Sequence, residues 1–172
     1  MRSLLPRRYK TIPGRYYGTP KELWGFRTAA VRGTPAAVAR RFLRDSAELL
    51  GIERVRSRLR LARVVESVGA VHVIFQQGLR GRRIHRAYVS VHIDWRRRVF
   101  LAKNRAVPAE FLPRPSRARL SAAGARRRAV RAVGGRGRQV RLGGAEQMWF
   151  PVRETLRLAF RVRVHLDRKS VV

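Results

Sequence analysis

The sequence predicts an α+β protein made of two small units, each an antiparallel sheet covered by one amphipathic helix. Three observations carry that expectation. Between Val71 and Ile93, two stretches alternate apolar and polar residues on either side of a short basic loop. From Thr34 to Gly51 the apolar residues recur at spacings of three and four. A second helical pattern starts at Ser121 and is followed, from Leu156 to Leu166, by strict alternation with arginines.

The chain divides into a basic arm rich in Pro, Gly and aromatics (1–33), a first folded unit (34–106), a proline-rich linker (107–119) and a second folded unit (120–172). In the arm, Pro6, Pro13 and Pro20 with Gly14, Gly18 and Gly25 interrupt any period, which predicts an extended or partly ordered segment. There Tyr9, Tyr16, Tyr17, Trp24 and Phe26 interleave with Arg7, Arg8, Arg15 and Arg27. Such a mixture can stack on bases and neutralise phosphate. The preferred reading is the plainer one, an arm that lays its rings on the folded body.

Thr34 suits a helix N-cap and Pro35 the first helical position, and Gly51 closes the pattern. Val38, Ala39, Phe42, Leu43, Ser46, Leu49 and Leu50 form the inward stripe, with Arg40, Arg41, Arg44, Asp45 and Glu48 outward. Arg41 with Asp45, and Arg44 with Glu48, are spaced for local ion pairs of about 0.2–0.5 kcal/mol each. A strand is expected from Arg58 to Val68, and Gly69 turns it into the central hairpin. Val71, Val73 and Phe75 share one face of that hairpin with Ala87, Val89, Val91 and Ile93, while Gly78 and Gly81 bracket a loose connection. Val99 to Leu101 reads as a closing strand.

Pro108, Pro113 and Pro115 mark the linker. Ser121 caps a helix whose stripe is Ala122, Ala125, Ala129, Val130 and Val133, with Gly134 and Gly135 ending it. The final strand sets Leu156, Leu158, Phe160, Val162 and Val164 against Arg157, Ala159, Arg161, Arg163 and His165. The chain stops at Val172 soon after this strand, so the strand is expected to lack a pairing partner and leave an exposed edge.

The first unit resembles the fungalysin/thermolysin propeptide domain, which precedes the catalytic domain of secreted zinc metalloproteases. Phe75, Gln77, Gly81, Ile84, Ala87, His92 and Asp94 fall on that family's pattern of a Phe-x-Gln strand, a glycine loop and a strand ending His-x-Asp. The family usually continues with a glycine-containing turn, where this chain has Trp95, Arg96, Arg97 and Arg98. The second unit resembles the PepSY domain of the same pro-regions, through Ala125 and Ala129, Phe150-Pro151 and Leu158-Ala159-Phe160. The resemblance implies a noncatalytic module that binds, inhibits and assists folding of a thermolysin-like metalloprotease catalytic domain, in an extracellular or periplasmic setting. It also implies a secretory signal, and Arg7, Arg8 and Lys10 break any apolar core that could serve as one.

Composition frames the alternatives. The 172 residues are 45% hydrophobic, enough to bury a core, and carry a formal charge of +31 from 41 basic and 10 acidic residues. All but four of the basic residues are arginine, spread through every segment. That scatter fits a GC-rich coding sequence as well as selection for a polyanionic partner. With no cysteine, there is no disulfide, thiol nucleophile or Cys-containing metal site. No run of residues suits a membrane span.

Thermolysin-type chemistry needs two histidines four apart on a helix, with a glutamate beside the first. His72, His85, His92 and His165 lack that spacing. His72 and His92 can meet across the hairpin, but no third ligand is evident, so neither metal nor cofactor is expected. Glu66, Glu110, Glu146, Glu154 and Asp167 are dispersed, and no catalytic residues are assigned. The Gly134–Arg138 stretch is a single arginine-glycine fragment that reads as a cap and loop. The second functional reading is a basic nucleic-acid binder acting through Arg157, Arg161, Arg163 and the arm. For the first reading, the sheet edges and the loop of Gln77 and Gly81 are the parts to test.

Overall fold

A computed structural model describes residue 4 and residues 7–112, 120–133, 140–152 and 155–166. Within them the strands are β1 (Lys10–Pro13), β2 (Pro20–Trp24), β3 (Leu59–Ser67), β4 (Ala70–Leu79), β5 (Arg82–Asp94), β6 (Val99–Asn104), β7 (Val140–Val152) and β8 (Thr155–Leu166). The helices are α1 (Pro35–Asp45) and α2 (Ala122–Ala132). The fold is α+β. Six strands run in the order β1-β2-β6-β5-β4-β3, and a β7–β8 hairpin joins through β5.

Helix α1 starts as its sequence dictates. The Thr34 hydroxyl accepts the Ala37 amide at 3.2 Å, and Pro35 occupies the first turn, where its missing N–H costs nothing. Val38, Ala39, Phe42 and Leu43 are buried against the inner face of the sheet, which carries Val73, Phe75, Val89, Val91 and Ile93. Removing the larger of these side chains from water stabilises by about 1.5–3 kcal/mol each. The helix stops at Asp45, short of Gly51. From Ser46 onward the chain continues in turns, and Gly51 (φ +63°) marks its reversal instead. A Cβ there would lie 2.6 Å from Thr19 Cγ2, so glycine is also required by close approach.

The 1–33 segment is more ordered than an extended or partly ordered arm. It contains the β1–β2 hairpin, and β2 pairs with β6 to widen the sheet. Leu23 is fully buried in the main core, as is Leu4, whose amide donates to Asp45 Oδ2 at 2.9 Å. The pattern escaped a periodicity reading because a four-residue strand bounded by prolines holds barely one alternation. Two of the five aromatics lie on the body, Phe26 stacked on Phe42 at 5.9 Å and Tyr17 packed on Phe111 at 4.9 Å, while Tyr9, Tyr16 and Trp24 are exposed.

The central hairpin is longer and tighter than a loose loop between Gly78 and Gly81. Arg80 and Gly81, both at positive φ, make a two-residue turn between β4 and β5. Beyond it the register shifts. Gln76 pairs with Tyr88, but Gly78 pairs with Arg83, so β5 carries surplus residues around Ile84 to Ala87. That bulge turns Ile84 outward to bridge β7 in parallel at Trp149. The β5–β6 turn forms without glycine: Arg97 takes φ +60°, and Asp94 Oδ1 accepts the Arg98 amide at 3.0 Å.

The last strand, β8, has a partner that the sequence does not reveal, and its other edge is unpaired among the described residues. It pairs antiparallel with β7 from Val140↔Leu166 to Val152↔Thr155. Gly143, Gly144 and Pro151 interrupt the alternation of β7, and a register shift between Leu142 and Ala145 absorbs the glycines. This concealed the strand. Ser121 caps α2 by accepting the Gly124 amide at 3.1 Å, and α2 packs on β7 and β8 with Ala125 buried and Val133 exposed. A second apolar cluster of Leu79, Ile84, Ala87, Val107, Trp149 and Leu156 fills the junction. The linker prolines Pro113 and Pro115, the Gly134–Arg138 stretch, Glu154 and Asp167 lie outside the described residues.

Candidate functional site

Of the residues singled out in the central stretch, Gln77, Ile84 and Ala87 meet at the junction between the hairpin and β7, whereas Phe75, Gly81, His92 and Asp94 lie apart from it. Phe75 faces α1 in the main core, while Ile84 and Ala87 sit in the second cluster, all three buried. Gln77 is fully buried between them. Its Oε1 accepts the Val107 amide and its Nε2 donates to the Val107 carbonyl, each at 2.8 Å. The side chain thereby acts as one more residue of β-ladder. Gly81 is exposed in the tight turn. Asp94 ties its own turn through Arg98 at 2.8 Å. Its burial raises the carboxyl pKa, but the Arg98 amide and guanidinium outweigh this and hold it below the usual value.

Gln76, which sequence reasoning did not single out, organises the bulge. Its Nε2 reaches the carbonyls of Ile84 at 2.8 Å and Ala87 at 2.7 Å. Between those two anchors Arg86 is held at φ +55°, a region costly for a residue with a Cβ. His85 projects from the same bulge and stacks on Phe150 at 4.8 Å with the rings 14° from parallel. Burial, then the charges of Arg86 and Arg161, keep His85 below the usual imidazole range. The only sequence signal for this device was a glutamine at an otherwise outward position of a strand.

The arginines of β8 are exposed, and their strand neighbours differ. Arg157 stands opposite Phe150 and therefore on the same face. Arg161 donates to Glu146 at 2.7 Å, and Arg83 of β5 grips the same carboxylate at 2.6 and 2.8 Å. Arg83, followed by burial acting in the opposite sense and then the Arg161 charge, sets the Glu146 pKa below its ordinary value. Arg163 lies beside Gly143, with no ion pair among the described residues. The basic face is thus continuous with the β5 bulge.

On the sheet face turned away from α1, His72 and His92 occupy directly paired positions, with Nδ1 atoms 2.6 Å apart. Ser67 Oγ lies 2.7 Å from His72 Nε2 and Ser90 Oγ 3.2 Å from His92 Nε2. Ser67 also reaches the Ala70 carbonyl at 3.4 Å. One direction satisfies all four contacts. Ser90 donates to His92 Nε2, His92 Nδ1–H to His72 Nδ1, His72 Nε2–H to Ser67, and Ser67 to Ala70. In that tautomer His72 does not take a proton from Ser67, as a nucleophile's base would. Burial, then the charges of His72 and Lys103, opposed by Glu22, lower the His92 pKa to about 4. No group of three or more His, Cys, Asp or Glu able to hold a metal occurs among the described residues.

Two clefts flank the junction. One, of about 600 Å³, is lined by Arg58, by Arg60, Leu61 and Ala62 of β3, and by the chain from Gln76 to Arg83 around the β4–β5 turn. The other, of about 550 Å³, lies between the β1–β2 loop, the β5 bulge, the segment after β6, and Phe150-Pro151 of β7. No helix among the described residues is long and apolar enough to cross a membrane.

No family model matches the sequence, and neither does any curated protein. Among solved structures the chain is similar to the Bacillus megaterium YpeB C-terminal domain, with 11% identity and a TM-score of 0.40. That alignment covers 88% of this chain and 64% of the other, so the chain spans less than two thirds of the structure it matches. Similarity at this level carries no functional argument.

Proposed function

We propose that this chain is a noncatalytic, propeptide-like module that binds, inhibits and assists folding of a thermolysin-like zinc metalloprotease, in an extracellular or periplasmic setting. The observation that carries the reading is the free side of β3. Among the described residues this strand ends the sheet order and pairs only with β4, and it presents Leu61, Val64 and Val65 at about 40% exposure. A nine-residue edge with apolar side chains is a template for an extended segment of a partner. The adjoining cleft contains Gly81 and the arginines of the β4–β5 turn, which would favour an acidic partner surface.

The residues that carry the family resemblance support the reading in a particular way. Gln77, Ile84 and Ala87 are buried at the junction and Phe75 in the main core, so their part is to build the fold, and contact falls to the strand edge beside them. The test is inhibition of a thermolysin-like protease from the same source. Slowing of substrate turnover at near-stoichiometric ratios is expected, with relief in a Val64→Lys, Val65→Lys double variant that retains its thermal midpoint. Cleavage of the chain as an ordinary substrate, with no slowing of the enzyme, would refute the proposal.

A further inference from the structure

We propose that the cleft between the β1–β2 loop, the β5 bulge and the end of β7 binds a phosphate-bearing ligand with a flat heteroaromatic ring: a nucleotide unit, free or within a single-stranded nucleic acid. The lining carries Arg15, Lys21, Arg86 and Arg105, all exposed, and not one acidic side chain. None of these four is paired to a carboxylate among the described residues. Elsewhere on the same surface, by contrast, Arg83 and Arg161 share Glu146. Arg15 and Arg105 lie over the rings of Tyr16 and Tyr88 at 5.7 and 5.8 Å, but four cations lining one concavity without a carboxylate repel each other, and an anion relieves that repulsion.

A second observation specifies the ring. Phe150 is 42% exposed at the wall of the cleft, backed by the near-parallel His85 ring. Because its pKa is lowered, His85 is neutral at pH 7, so the pair offers a flat, uncharged platform rather than another cation. Tyr16, 60% exposed, stands on the loop opposite. Aromatic faces bordered by cations are the recurring arrangement for holding unstacked bases.

The third observation is strain. Arg86 is held in the left-handed region by the two Gln76 hydrogen bonds, at a site where glycine would be cheaper. That backbone places a guanidinium at the cleft. Arg157, beside Phe150 on the same face, continues the positive surface outward along β8. A strand longer than one nucleotide would have its next phosphate there.

A formal charge of +31 attracts polyanions to the whole surface, so the test must vary the ring and the position of charge independently. Fluorescence anisotropy with a short labelled thymidylate oligomer at moderate salt supplies the readout. Phe150→Ala leaves the net charge untouched, and at this exposed position it should leave the thermal midpoint near that of the parent. Binding is expected to weaken roughly tenfold, since one base–aromatic stack contributes about 1–3 kcal/mol. Phe150→Tyr should retain it.

Arg86→Gly keeps the left-handed backbone favourable and removes the side chain with its guanidinium. Arg105→Ala removes another lining cation. Each should weaken binding several-fold and lower the salt slope by about 0.7 per phosphate released. Arg96→Ala, at the opposite end of the β5–β6 hairpin, should have little effect. Competition by adenosine monophosphate without oligomer binding would identify the free nucleotide as the source, and oligomer binding with length dependence the nucleic acid; either supports the site. If Phe150→Ala binds as the parent does, or if Arg96→Ala loses as much as Arg105→Ala, or if pyrophosphate competes as well as the nucleotide, the proposal is overturned.

Discussion

Gln77 and Val107, thirty residues apart, are joined as two ladder residues would be, although one of the two contributes a side chain. Gln77 Oε1 takes the Val107 amide and Nε2 gives to the Val107 carbonyl, both at 2.8 Å and both buried. The chain leaving β6 is thereby fixed against β4. Asn104 helps from the other side, donating to the Leu50 carbonyl at 2.7 Å and accepting the Ala106 amide at 2.9 Å. These two amides hold the floor from which the segment toward α2 departs.

Replacing Gln77 by Leu preserves volume and leaves the Val107 amide and carbonyl without their partner in a dry site. A loss of about 2–4 kcal/mol is expected, read as a lower urea midpoint, since each orphaned buried group costs about 1–3 kcal/mol. Gln77→Glu is the sharper variant. A carboxylate can accept the amide but turns its second oxygen toward the Val107 carbonyl, so it should destabilise at least as much at neutral pH. An unchanged midpoint in both variants would show that Val107 finds other partners.

Much of this arrangement was legible in the sequence, and the boundary is physical. Alternation in Val71 to Phe75 and Ala87 to Ile93 identified the buried face, because half-buried strands must alternate. Thr34 and Pro35 located the helix start, because a capping oxygen and a missing N–H have few other uses. The β7 strand was hidden: glycines at Gly143 and Gly144 and a proline at Pro151 erase the period while the backbone still pairs. The β5 bulge was hidden for a different reason. Its cause is Gln76, an ordinary polar residue whose two distant carbonyl partners exist only after folding.

The Asp94–Arg98 turn formed despite lacking the glycine that the family resemblance implied. Arg97 carries the positive φ of +60° instead. Left-handed backbone costs a residue with a Cβ about 1–2 kcal/mol, and glycine returns part of that through a more flexible unfolded chain. Arg97→Gly should therefore stabilise by up to about 1 kcal/mol, visible as a raised thermal midpoint. The Arg97 carbonyl still accepts the Val31 amide in the variant, so the contact with the chain before α1 is retained. A lowered midpoint would mean that the Arg97 side chain contributes more than its backbone costs.

His92 links stability to pH. Its pKa in the fold is about 4, below the ordinary 6.5, so the unfolded chain takes up the proton first. Stability from this group is complete above about pH 6.5, declines as pH falls toward 4, and falls no further below that. The groups facing it are His72 on β4, Lys103 on β6 and Glu22 on β2, and the first two add to the cost of a charge there while Glu22 relieves it. Half-exposed rings are screened by water, so the loss is expected to be about 1–2 kcal/mol. His92→Gln, neutral throughout, should flatten the slope of stability between pH 4 and 6.5.

Trp149 tests whether the two apolar clusters unfold together. Its indole is buried in the second cluster with Ile84, Ala87 and Leu156, and Nε1 donates to the Leu79 carbonyl at 3.0 Å. The cluster beneath α1 shares none of these residues. Trp149→Phe removes the hydrogen bond and opens space beside Ile84, which should cost about 1–3 kcal/mol. If the clusters are separate cooperative units, hydrogen exchange will quicken through β7 and β8 while the amides that pair Val73 with Val91 keep their protection. The bridge at Ile84 and Trp149 is narrow, and the chain on either side of it pairs almost wholly within its own unit. Equal loss of protection in both regions would make the bridge, for all its narrowness, the place where one core stabilises the other.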